Sequence, residues 1–241
     1  MKPVIFQFSL GDKWMQDMVD LQYTHQQGNF TKTIRKLSEK FTVQPAWDAK
    51  QAFDLLSYNQ APHAILITDP GITEPENEEL SRQVVNYARD GGTVILSLCF
   101  SSNVNFDDFS SYMKGWGLHW KVYSYTRQDC VVNTLAVGPP GVQWMYDLPA
   151  LYGSKSVFLS NVAPEACWYL PAPYIQDEYD DEEEIQAPPP RKETPFAFSK
   201  VGKGFVGFTG DVNQHEATDA AILAMLGMDY PWCTCGKEQF V

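Results

Sequence analysis

No run of apolar residues in this chain approaches the roughly 18 that a membrane-spanning helix requires. The opening MKPVIFQFSLGDKW has one early lysine and an apolar run broken by Gln7, too short and too mixed for a signal-peptide core, and the ending KEQFV is not a prenylation box. Positive charge is scarce: 18 Lys and Arg against 30 Asp and Glu leave a net charge of -12, which repels phosphate backbones and anionic headgroups. Neither nucleic-acid nor membrane binding is expected. Cysteine is sparse and odd in number: the five thiols at 99, 130, 167, 233 and 235 build no disulfide framework and suit a reducing compartment, so the expected address is cytoplasmic. The pair Cys233 and Cys235 lacks the second pair that a zinc site needs, and no metal or cofactor is expected.

What is present is core material, 44% apolar and 14% aromatic over 241 residues, enough for a single domain spanning 1–241. VIFQFSL reads as a first strand, and Phe30, Ile34, Leu37 and Phe41 then recur at helical spacing. TVQPAWDA reads as a short strand weakened by Pro45, and Asp48 as the N-cap of the helix after it. HAILITDP is apolar throughout, as a strand buried on both faces of a parallel sheet would be. A helix follows, with Thr73 and Glu76 spaced as a capping box and Gly91-Gly92 as its stop, and TVILSLCFSS is the next buried strand. This alternation predicts right-handed βαβ units: an α/β protein with a mostly parallel central sheet flanked by helices.

Beyond residue 100 the pattern predicts a helix in NFDDFSSYMKGWG, one or two strands in HWKVYSYTRQDCVVN, a short helix in VQWMYDLPALYG, and short strands in SVFLSNV and ACWYLPA. Residues 174–195 combine an acidic run with three successive prolines and read as an exposed loop. That loop is either a solvated insertion or an acidic docking segment for a basic protein partner. PFAFSKVGKGFVGFTGD reads as an antiparallel hairpin turning at GKG, and HEATDAAILAMLG as a last helix.

HAILITDPGIT resembles the strand and oxyanion turn of class I glutamine amidotransferases, and TVILSLCFSS their nucleophile strand, which runs into Gly-x-Cys-x-Gly. VGKGFVGFTGDVN is similar to the closing strand pair of the ThuA-like branch of that superfamily. The order of elements agrees over most of the chain, and motif-level similarity covers residues 4–10, 63–102 and 199–227. The resemblance implies a three-layer flavodoxin-like fold, with Cys99 in the nucleophile's place and Gly71 in the oxyanion turn, beside Phe100 and Ser101. It departs from the family where Ser97 and Ser101 stand for the flanking glycines. Asn213 falls at the histidine position, and an asparagine takes up no proton near neutral pH.

Cys99 is thus either a nucleophile or a small buried hydrophobe. His215 is a displaced base, with Glu216 beside it rather than two residues on, or an exposed first-turn histidine in a helix capped by Asn213 with Glu216 at its third position. Asp12, in the long loop after the first strand, would line a ligand crevice at the sheet's carboxyl edge or cap the core. The tryptophans and tyrosines at 116, 120, 123, 125, 144, 146, 168, 169 and 174 suit a stacking cleft or ordinary core packing. Two readings follow: an amidotransferase-like domain without glutaminase chemistry that binds a small ligand or partner near Cys99, or a Cys99-dependent hydrolase or amidotransferase with a non-standard base.

Overall fold

Phe30, Ile34, Leu37 and Phe41 are all buried, because the helix that carries them, α1 (Asn29–Lys40), lays its apolar stripe on one face of a sheet. Burying side chains of this size stabilises a fold by about 1.5–3 kcal/mol each relative to leaving them in water. The computed structural model describes residues 2–11, 17, 29–57, 61–141, 148–173 and 192–228.

The main sheet starts with β1 (Val4–Phe8), β2 (Thr42–Ala46), β3 (Ala64–Ile67) and β4 (Thr93–Leu96), and ends with β8 (Phe196–Val201) and β9 (Gly204–Thr209). Its order is β2-β1-β3-β4-β9-β8, parallel at each pairing except β8 with β9. Pro45 is tolerated because β2 is an edge strand, where a missing N–H removes no ladder bond. The C-terminal hairpin is no appendage: β9 pairs in register with β4, Thr93 opposite Phe205, and extends the parallel sheet.

Alternate residues of the strands feed two cores. Ile5, Ala64, Leu66 and Ile95 face α1 and the last helix, α6 (Glu216–Met225). Phe6, Ile65, Ile67, Val94 and Leu96 face α2 (Ala49–Leu56), α3 (Glu78–Arg89) and α5 (Phe106–Gly115). A short helix, α4 (Cys99–Asn103), follows β4 directly. No described helix is long and apolar enough to cross a membrane.

Several local expectations are corrected. The Thr73–Glu76 capping box does not form: two short 3-10 turns, Pro70–Thr73 and Pro75–Asn77, precede α3, which begins at Glu78. Thr73 donates instead to the Pro70 carbonyl at 2.7 Å. Of the one or two strands expected in HWKVYSYTRQDCVVN, one long strand forms as expected, β5 (Lys121–Val132), with a register shift between Val122 and Ser124. The helix expected across VQWMYDLPALYG gives way from Leu151 to β6 (Leu151–Ser160), its residues 142–147 lying outside the described residues. With β7 (Tyr169–Pro171) these strands make a second, antiparallel sheet, β6-β5-β7, which the sequence pattern did not announce.

Residues 174–191 of the acidic stretch lie outside the described residues, but its end is no exposed loop. Glu193 is buried and accepts from Ser124 Oγ at 2.7 Å and Gln128 Nε2 at 3.2 Å, and Thr194 bridges to Leu159.

Candidate functional site

The carboxyl ends of β1, β3, β4 and β9 lie side by side, since all four run parallel, and each strand passes there from apolar to small polar residues. Ser9 Oγ and Thr68 Oγ1 are 2.6 Å apart across β1 and β3, the pair of strands between which the sheet reverses its direction of winding. Ser97 Oγ and Thr209 Oγ1 are 2.5 Å apart across β4 and β9. These buried hydroxyl pairs satisfy each other and close the rim on its core side.

Gly71 sits in the turn after β3. Its N–H donates to Asp69 Oδ1 at 2.9 Å and its carbonyl accepts from Asn77 Nδ2 at 2.7 Å, so the amide expected as an oxyanion donor is engaged within the turn. Asp69 Oδ1 also accepts from Leu10 N at 3.1 Å, tying the loop after β1 to the same turn. A side chain at 71 would run into the Leu10 backbone, and this close approach is why glycine stands there.

β4 ends in a sharp turn into α4. The strained residue in that turn is Leu98, with φ 62° and ψ -123°, a left-handed backbone that a branched aliphatic side chain rarely adopts. Cys99 comes one residue later, as the first residue of α4. The residue is 6% exposed, and its thiol pKa is pushed up to about 11, first by burial and then by the nearby Asp69 carboxylate. No hydrogen bond joins Cys99 Sγ to an imidazole among the described residues. Phe100 is fully buried, its ring edge-on to Phe109 with centroids 6.3 Å apart, and so belongs to the core. Ser101 is also buried, and its Oγ has no hydrogen-bond partner among the described residues.

His215 is itself the N-cap residue of α6, which corrects the placement of Asn213 as cap and of Glu216 at the third helical position. Asn213 instead donates its backbone N–H to Asp211 Oδ1 at 2.9 Å. Glu216, in the first turn of α6, points toward Lys36 on α1, 3.8 Å away. Asp12 lies outside the described residues, as do Trp144, Tyr146 and Tyr174 of the aromatic set. Of the remaining aromatics, Trp116, Trp120, Trp168 and Tyr169 are core residues, whereas Tyr123 is 63% exposed and Tyr125 packs under the Lys155 ammonium at 4.7 Å.

The residue that sequence reasoning missed is Asp211. It is 0% exposed, and its carboxylate accepts from the backbone N–H of Asn213 and of His215, from Thr218 Oγ1 at 2.7 Å and from His215 Nδ1 at 2.9 Å. Tyr152 of β6 stands edge-on to the imidazole, with centroids 6.0 Å apart. An acidic residue closing an otherwise apolar strand in GFTGD, four positions before a histidine, was the available signal.

No family model matches the sequence, and no curated protein matches it. Among solved structures the chain is similar to a β-galactosidase from Bacillus circulans sp. alkalophilus, at 12% identity and a TM-score of 0.51, over 93% of this chain and 30% of that one. Gan42B, a GH42 β-galactosidase, matches at 12% identity and a TM-score of 0.47 over 95% and 30% of the two chains. A cold-adapted β-galactosidase from Rahnella sp. R3 matches at 14% and 0.46 over 95% and 32%. The chain thus spans about 30% of the length of the solved structures it matches, and the likeness to the first is one of fold.

Proposed function

We propose that this chain is a glutamine amidotransferase-like domain without glutaminase chemistry, and that it binds a small ligand at the carboxyl rim of its parallel sheet near Cys99. The observation that carries this reading is Leu98. A strained strand-to-helix turn is the setting that presents a nucleophile in hydrolase folds, and here an aliphatic residue occupies the strained position while the adjacent thiol is buried and held protonated. The strand order β2-β1-β3-β4-β9 supports the flavodoxin-like assignment, which has the same 2-1-3-4-5 succession.

Measurement of glutamine hydrolysis tests the reading. The expected result is no turnover, with Cys99→Ser indistinguishable from the parent; robust turnover that disappears in Cys99→Ser overturns it. One observation favours a Cys99-dependent hydrolase as second reading: the His215 imidazole, oriented by a buried carboxylate, is built as a base. That reading requires Cys99 to alkylate rapidly at neutral pH. A protein partner for the acidic stretch is a separate proposal, and an association lost on deleting residues 177–190 is its test.

A further inference from the structure

We propose that the solvent face of the antiparallel sheet is an interface between two copies of this chain, related by a two-fold axis that crosses β5 at Gln128. This face contributes no residue to the carboxyl rim of the parallel sheet, and a ligand at that rim is not needed for it.

Alternation along β5 sends two sets of side chains to opposite sides. Ser124 and Gln128 turn inward onto the buried Glu193 carboxylate, Cys130 is buried, and Val132 packs against the core. Tyr123, Tyr125, Arg127 and Asp129 turn outward and are exposed, followed by half-buried Val131. On β6, Lys155, Gly153 and Leu151 stand opposite Arg127, Asp129 and Val131 in turn, and all three are exposed. No element among the described residues covers this face.

Exposed apolar side chains gather here. Of the six large ones among the described residues, Tyr123, Tyr125 and Leu151 lie on this face, Leu135 and Val137 lie in the segment directly after β5, and only Phe106 lies elsewhere. That segment is held in place: Asn133 Nδ2 donates to the carbonyls of Pro164 at 2.9 Å and Cys167 at 2.8 Å, and Trp168 Nε1 donates to that of Val137 at 3.1 Å. Exposed apolar surface concentrated in one place marks a surface for association.

The charges indicate what covers it. Arg127 and Lys155 stand directly opposite each other, an arrangement that repels, and neither forms an ion pair among the described residues. The Asp129 carboxylate lies over Gly153, where an added Cβ would meet its Oδ1, and it also has no ion pair among the described residues. The face thus carries both signs at its centre, aromatic rings at one end and aliphatic chains at the other.

That order is its own complement when reversed. A two-fold axis perpendicular to the strands at Gln128 lays β5 of one copy antiparallel on β5 of the other. Arg127 then faces Asp129 of the second copy, Tyr125 faces its Val131 and Leu151, and Lys155 comes over its Gly153, beside the same Asp129. The two faces stack as in a β-sandwich, about 10 Å apart. A partner of a single charge sign, or a wholly apolar one, would leave Asp129 or the two cations covered without a counter-charge.

The test is sedimentation velocity of the full chain from about 1 to about 100 µM, the range of weak self-association. The parent is expected to form a dimer as concentration rises. Arg127→Asp and Asp129→Arg each set like charges face to face, so either variant alone is expected to dimerise about tenfold more weakly or worse. Mixed in equal amounts, the two variants bring opposite charges back to both contacts, and the dimer is expected to return. Both residues are exposed, and an unchanged far-UV circular dichroism spectrum establishes that each variant is folded. Should either lose that spectrum, Tyr125→Ser and Leu151→Ser decide in its place, since each is expected to weaken the dimer without a change of charge. A parent that stays monomeric throughout, folded variants that dimerise as the parent does, or a mixture that fails to regain the dimer overturns the inference.

Discussion

Leu98 and Gln214 lie 116 positions apart in the chain, yet Gln214 Nε2 donates to the Leu98 carbonyl at 3.3 Å. They are two of the three non-glycine residues with positive φ among those described, Asn161 being the third. Strained backbones of this kind cost on the order of 1–3 kcal/mol each and persist where the surroundings over-determine them. Here one strained turn ends β4, the other precedes α6, and each restrains the other.

This relationship makes an unusual order of stabilities the expected outcome at position 98. Leu98 is 3% exposed, so Leu98→Ala loses about 2–4 kcal/mol of packing and keeps the unfavourable φ. Leu98→Gly loses the same packing but releases the strain, which offsets its greater chain entropy. Urea denaturation is expected to find the glycine variant at least as stable as the alanine variant. A glycine variant weaker by the usual ~1 kcal/mol for Gly against Ala refutes strain at this turn.

Glycine-to-alanine changes at 71 and 207 are expected to separate widely. An added Cβ at Gly71 meets backbone, the Leu10 carbonyl and, at 2.6 Å, Gly11 N, which cannot yield without moving the loop after β1. At Gly207 the nearest atom, at 2.6 Å, is Met225 Sδ, part of a flexible side chain that can turn aside. Thermal melts are expected to show Gly71→Ala destabilised by more than about 3 kcal/mol and Gly207→Ala by about 1–2 kcal/mol.

Cys99 is expected to alkylate slowly at pH 7, with a rate that climbs as pH approaches about 11. Burial also raises Cys167 to about 11 and Cys130 to about 12. Each folded value lies above the ordinary thiol value of 9.0, so the folded state holds these protons more tightly than the unfolded chain. Their contribution to stability is fully present below pH 9 and is lost as pH rises through the window from about 9 to about 12. Chemical denaturation at stepped pH checks the sign: a midpoint that is flat or rising across that window contradicts it.

Asp219 links α6 to α1, accepting from Thr33 Oγ1 at 2.5 Å and from Lys36 Nζ at 2.7 Å. Burial raises its pKa, opposed by these two donors. Removing the cation leaves a carboxylate buried between helices, so Lys36→Met is expected to cost about 1–3 kcal/mol, a range set below that of a fully buried pair because Lys36 is partly exposed. Asp219→Asn removes the charge itself and is expected to lose less. Equal losses in the two variants, measured at pH 7, contradict this account.

The first hundred residues were largely legible because their elements are set locally. HAILITDP and TVILSL are apolar runs of strand length, and Phe30 to Phe41 forms a helical stripe, so strand, helix and parallel pairing followed from periodicity. From residue 121 onward the polar-apolar alternation fitted either one strand or two, and nothing local tells whether Tyr152 pairs with Cys130. The acid-histidine spacing of Asp211 and His215 was present in the sequence. Its meaning depended on where α6 begins, and capping statistics favoured Asn213 over the residue that takes the position.

The sequence by itself determined the alternating elements, the parallel sheet, and the small polar residues at the carboxyl ends of its strands, because each depends on side-chain period and local backbone preference. Only the tertiary structure decided that Leu98 rather than Cys99 takes the strained turn, that the Gly71 amide is engaged by Asp69, and that Asp211 orients His215. The physical reason is burial. A thiol's acidity, an amide's freedom and a carboxylate's partners are set by groups distant in sequence that exclude water together, and a chain read one window at a time does not bring those groups into contact.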